Sequence, residues 1–147
     1  MAMQKATLGT ILAIAVMGLV VSAMGTLVAT HTISSSGSVT AVGVGVYSDS
    51  ACTNALSTIS WGTLNPGNVT TYTMYVKNTG TMPVTLNMTV GNWSPTSASS
   101  YITLTWNQEQ YVLPASQVVT AVLTLSVSSS ISGVTTFSFN ITITGTQ

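Results

Sequence analysis

From Val42 to Ile143 apolar and polar residues alternate with a period of two, in successive runs separated by turn residues. Strict alternation sends every second side chain to one face and marks a half-buried strand. The first run is "TAVGVGVYS", in which Val42, Val44 and Val46 are expected to point inward. Ile59 and Trp61 begin a second run, ended by Asn65-Pro66-Gly67, where proline fixes φ and glycine accepts a positive φ. Tyr72, Met74 and Val76 form the next row, closed by the turn Asn78-Thr79-Gly80. Val84, Leu86, Met88 and Val90 follow, with Thr85, Asn87 and Thr89 on the opposite side. A serine-rich loop over 92–100 leads to Ile102, Leu104 and Trp106, a row ended by "NQEQ". Val119 to Val127 and Phe137 to Ile143 supply the last two rows. About seven strands, with no helical period after His31, predict an all-β fold over residues 39–147: an immunoglobulin-like antiparallel β-sandwich. Trp61, Trp106, Leu86, Leu123, Phe139 and Ile141 are expected in its core.

The N-terminal 31 residues follow a different pattern. Ala6 to Thr30 carry no charge and are flanked by Lys5 and His31. As one hydrophobic helix this run is about 37 Å long, enough to cross a hydrocarbon layer of about 30 Å. Lys5 is the cation on its N-terminal side, so the rule that positive flanks stay inside places the rest of the chain outside the cell. Three readings fit: a secretory signal peptide cut after Ala23, a leader cut after Lys5 that leaves the helix on the mature subunit, or an uncleaved membrane anchor. Residues 32–38, rich in serine and glycine, read as a joint between this segment and the domain.

Composition sharpens the picture. Charged residues are 3% of the chain and the net charge is zero, against about 25% charged in an ordinary domain. Without a basic face there is nothing to attract phosphate, so nucleic acid is not an expected partner. Serine and threonine number 46; threonine is β-branched and gives a strand an uncharged outer face. Four Asn-x-Ser/Thr sequons, at Asn68, Asn87, Asn92 and Asn140, are candidate N-glycosylation sites. Asn87 and Asn140 fall at outward strand positions and Asn68 and Asn92 in turns. The lone Cys52 forms no intramolecular disulfide and reads as a core residue in preference to one that pairs between subunits.

Catalysis finds little to work with. Asp49 and Glu109 are the only carboxylate side chains and lie far apart in the pattern, whereas acid/base pairs need two together. One histidine and one cysteine do not make a metal site of structural type, and no cofactor is expected. Asp49 with Ser48, Ser50 and Asn54 reads as a turn in preference to a cation site. With so few titratable groups, stability should barely change between about pH 5 and 9.

The stretch "WGTLNPGNVTTYTMYVKNTGTMPVTLNM", following a leader and a strand, resembles the sandwich domain of TasA and camelysin-like proteins and of archaeal bundling-pilus and thread subunits. The likeness covers Ser34 to Thr89, and "QKATLGTILAIAVMG" is similar to archaeal type IV pilin leaders. The resemblance implies a secreted fibre or surface-layer subunit with itself as partner, in a group where a strand of one subunit completes the sheet of the next. The expected function is therefore a structural subunit of an extracellular filament, pilus or surface array. It would assemble through its N-terminal strand or its hydrophobic helix. The alternative is a monomeric immunoglobulin-like adhesion module, secreted or membrane-anchored, with Tyr47, Tyr75, Tyr101 and Tyr111 as contact aromatics. The chain is nearly uncharged and far shorter than TasA.

Overall fold

The computed structural model describes residues 33–147. The readings that concern Lys5, Ala23, His31 and the hydrophobic run lie outside the described residues. Among the described residues nine strands form two sheets: β1 (Ile33–Val42), β2 (Gly45–Tyr47), β3 (Thr58–Leu64), β4 (Val69–Lys77), β5 (Val84–Ser94), β6 (Ile102–Trp106), β7 (Val112–Leu113), β8 (Val118–Val127) and β9 (Thr136–Thr146). One sheet has the order β3-β1-β9-β5-β7 and the other β2-β4-β8-β6. A 3₁₀ turn, Thr96–Ser100, follows β5.

The alternating rows meet in one apolar cluster that draws on both sheets. Met74, Val76, Ala121, Leu123 and Leu125 come from the four-stranded sheet, and Leu86, Phe139, Ile141 and Ile143 from the five-stranded one. Each large apolar side chain removed from water stabilises the fold by about 1.5–3 kcal/mol. Trp61 is buried as expected. Trp106 is not: it is half-buried against the cluster, because it ends β6 beside the turn that reverses the chain.

Three other expectations change. The run from Val42 to Tyr47 is not one strand: Gly43 adopts φ 74°, and the chain leaves β1 in one sheet to enter β2 in the other. Val42 is consequently 51% exposed while Val44 and Val46 are buried. In the serine-glycine segment, Ile33 to Ser38 form the first part of β1. Nor is the pairing wholly antiparallel, for β1 runs parallel to β9 from Ser34↔Thr136 to Val42↔Thr144. Its other neighbour, β3, is antiparallel. Val112–Leu113 adds a short strand that two residues of pattern do not reveal.

Candidate functional site

The element that the sequence connects with assembly is β1, and its seat decides what it can do. It lies inside the five-stranded sheet, bonded on one side to β3 and on the other to β9. Its inner row is Ile33, Ser35, Gly37 and Val39, facing a core otherwise built of large apolar side chains. A methyl group at Gly37 would meet Phe139, Ile141 and the Trp61 indole nitrogen at ordinary contact distance, each at 3.5 Å. Beside it Trp61 and Phe139 stack with ring centroids 6.5 Å apart. Trp61 is the extra residue of a bulge, where Ser35 faces Gly62 and Ser36 faces Ser60. Gly62, at φ 71°, supplies the left-handed backbone that the bulge requires.

Among the described residues two buried side-chain polar atoms lack a hydrogen-bond partner, the Ser35 hydroxyl and the Trp61 indole N–H. Both belong to the contact of β1 with β3. A buried polar group left unsatisfied costs about 1–3 kcal/mol. β1 therefore occupies an interior position of its sheet with an inner row in which Ser35 and Gly37 bring little to the core.

At its C-terminal end β1 is tied to the rest by a tight crossing. A Cβ on Gly43 would come within 2.5 Å of the Gly145 carbonyl oxygen, and one on Gly145 within 2.6 Å of Val44. Only Gly43 and Val44 separate β1 from β2. The nearby loops are held by Asn78, which is fully buried. Its Nδ2 donates to the carbonyls of Met82 (2.7 Å) and Leu113 (3.1 Å), and its Oδ1 accepts from the Gly80 N–H (2.9 Å). The turn signal at 78–80 was legible; that Asn78 knots two loops 35 residues apart was not.

Sheet edges are closed by side chains of "NQEQ" where strands run out. Asn107 Oδ1 accepts from the Val122 N–H (2.9 Å) and Gln108 Nε2 donates to the Thr120 carbonyl (2.9 Å), extending β6 along β8. Glu109 accepts from the Met88 N–H (3.1 Å) and from the Trp106 indole, and Gln110 donates to Asn87 Oδ1. One of the two carboxylates in the chain thus guards an edge of β5, as charge on an edge commonly does. The outer edges β3 and β6 carry no charged residue.

Asp49 organises a surface loop. Its carboxylate accepts from the Thr53 hydroxyl (2.6 Å), the Asn54 N–H (2.8 Å) and the Thr53 N–H (3.1 Å). The Thr53 hydroxyl, followed by the Asn54 N–H, holds its carboxyl below the usual aspartate value. Cys52 is in the same loop at φ 54° and is half-buried, so it is not the core residue expected. The loop takes it because Thr53 and Asn54, rather than packing, fix the backbone. Among the described residues no three His, Cys, Asp or Glu side chains gather where they could hold a metal. No helix among them is long and apolar enough to cross a membrane.

The five-stranded sheet turns outward a face of hydroxyls and amides. Ser34, Ser36, Ser38 and Thr40 of β1 lie in register with Thr136, Ser138, Asn140 and Thr142 of β9. An open cleft of about 590 Å³ lies where β5 departs from β9, lined chiefly by Ser34, Ser36, Ser60, Ser94, Pro95 and Ser138. Every residue lining it is uncharged. Such a surface offers hydrogen bonds and no side chain able to move a proton near neutral pH.

The sequons are placed differently from one another. Asn140 is exposed on β9, and Asn68 is exposed in the β3–β4 turn, where its Oδ1 accepts from the Asn65 N–H (2.9 Å). Asn92 is exposed at the bulge that interrupts the β5–β9 ladder between Gly91 and Ser94, with φ 52°, inside β5 rather than in a loop. Asn87 is half-buried and engaged by Gln110. Of the four tyrosines named above, Tyr47 and Tyr75 are register partners and half-buried, Tyr101 is half-buried, and Tyr111 is 43% exposed. No protein-family model matches the chain, and no curated protein matches it.

Proposed function

We propose that this protein is a non-catalytic structural subunit of an extracellular filament or surface array, with an immunoglobulin-like sandwich as its body and β1 as its exchangeable joint. The observation that carries the reading is the seat of β1. A central strand ordinarily contributes a strong apolar row, and this one places Ser35 and Gly37 in the core and leaves two polar atoms unsatisfied. It is also the first strand, joined to the rest by two residues, so it can leave and be replaced by the same strand of a second copy without rethreading the chain. The copy would make the same hydrogen bonds to β3 and β9, and the energetic difference between the two arrangements is correspondingly small. The uncharged outer edges β3 and β6 favour association further. Export through the N-terminal apolar run, and anchorage by it where it is retained, belong to the same reading. No observation favours the monomeric adhesion module, whose contact tyrosines are mostly half-buried.

Pinning the strand tests this. In a protein with Cys52→Ala, the pair Ser36→Cys and Ser60→Cys places two thiols at facing positions of β1 and β3. Oxidised at low concentration, this variant should remain monomeric by light scattering and show no polymers by electron microscopy. Reduction should restore assembly. Polymers that form as readily with the disulfide closed within one chain would show that β1 does not exchange, and would transfer the joint to residues 6–30.

A further inference from the structure

A surface with almost no charge still has to remain hydrated, and the broad outer face of the five-stranded sheet contains one position arranged for that purpose. We infer that Asn140 carries an N-linked glycan at the centre of this face. β9 is the third of five strands, and Asn140 lies well inside it. Its register partners are Ser38 on β1 and Gly91 on β5. Both are small, and a Cβ on Gly91 would meet nothing within 4 Å. The asparagine therefore stands exposed in a clearing wide enough for a first sugar. Residues i and i+2 of a strand share a face, so Thr142, the sequon hydroxyl, turns outward beside it. Among the described residues the Asn140 side chain makes no hydrogen bond that a glycan would break.

The other sequons are ranked by the same criteria. Asn68 is exposed in a turn, keeps its Oδ1 bond to the Asn65 N–H after modification, and adjoins Val69, which is 65% exposed; it is the second acceptor. Asn87 is half-buried and bonded to Gln110, and Asn92 is followed by Ser94-Pro95, where proline restricts the sequon serine. Neither is expected to be modified.

The reaction is a substitution at carbon. The Asn140 Nδ2 attacks the anomeric carbon of a lipid-phosphate-linked oligosaccharide, the bond from that carbon to the phosphate oxygen breaks, and the lipid phosphate leaves as an anion. Nδ2 gives up one proton to the transferase, and nothing is oxidised or reduced. Because β9 is flanked by strands on both sides, an enzyme reaches this sequon in the extended chain before the sheet closes. The outward direction of Asn140 then lets the modified chain fold unchanged. This inference does not depend on how the subunit assembles.

Mass spectrometry of the protein isolated from its own cells tests it. Lys5 and Lys77 are the only tryptic sites, so digestion should use a protease that cuts at aromatic residues. The peptide containing Asn140 should carry the mass of a sugar chain, and the intact protein should lose one such mass on Asn140→Gln or Thr142→Ala but keep it on Thr142→Ser. Recovery of the Asn140 peptide at its unmodified mass overturns the proposal. So does occupancy at Asn87 or Asn92 that exceeds occupancy at Asn140, because the ranking rests on exposure and clearance.

Discussion

β1 and β9 are adjacent, parallel and in register, yet they contribute to the domain in opposite ways. Along the shared inner face Ser35 stands beside Phe137, Gly37 beside Phe139 and Val39 beside Ile141. β9 brings four large side chains to the core, all at most 3% exposed. Its aromatics also organise others: Trp93 stacks on Phe139 at 4.5 Å, and Phe137 and Phe139 lie 5.9 Å apart. β1 brings Ile33 and Val39, an absent side chain and an orphaned hydroxyl. Backbone hydrogen bonding makes the two strands equivalent members of one sheet. Side-chain packing makes one a large contributor to the core and the other a small one.

The largest expected effect removes the stronger partner. Phe139→Ala should destabilise the domain by about 3–5 kcal/mol, the range for an aromatic deleted from a packed core. Denaturant titration followed by tryptophan fluorescence would measure it, and a loss below about 1 kcal/mol would mean that β9 is no more important to the core than β1. A second change improves the weaker partner. Ser35→Ala removes a buried hydroxyl with no partner and should stabilise the single chain by about 1–2 kcal/mol. On the strand-exchange reading it should also slow polymerisation, since β1 then leaves its own sheet less readily. Destabilisation would show that the Ser35 hydroxyl is satisfied in solution.

Gly37→Ala is a smaller test of the same contrast. The added methyl group meets three neighbours at ordinary contact distance, and alanine loses less backbone entropy than glycine, so a gain of about 0.5–1 kcal/mol is expected. Loss of stability would show that the stacked Trp61 and Phe139 rings cannot yield even a few tenths of an ångström. The smallest effect concerns pH, to which neither strand should contribute, because β1 and β9 contain no ionisable side chain. Asp49 has its pKa lowered in the folded state, so its contribution is present above the unfolded aspartate value of about 3.9 and is lost as pH falls through and below it. The melting temperature should therefore be level from about pH 5 to 9 and begin to decline only near pH 4. A steep change near neutrality would require a titrating group coupled to folding that the loop at Asp49 does not supply.

Much of the fold was legible because alternation is a local property. The rows at Met74/Val76, Leu123/Leu125 and Phe139/Ile141 are read from spacing alone, since a strand has only two faces and only one of them is apolar there. The outward direction of Asn87 and Asn140, and the turns at Asn65-Pro66-Gly67 and Asn78-Thr79-Gly80, follow in the same way. β1 defeated that reasoning. "ISSSGSVTAV" has the composition of a linker, and only its two neighbours, whose register partners lie 20 to 31 and 102 residues further along the chain, make it an interior strand. Gly43 misled for a related reason, since alternation through Val42, Val44 and Val46 continues on paper while the backbone passes from one sheet to the other. Parallel pairing with β9, the Asn78 knot and the edge bonds of "NQEQ" all join residues distant in sequence. The sequence by itself determined which residues seek the core and that the surface has almost no charge, because these depend on side-chain chemistry and a period of two. The tertiary structure alone decided which interior strand brings the smaller side chains to the core, because that depends on which neighbours each strand pairs with.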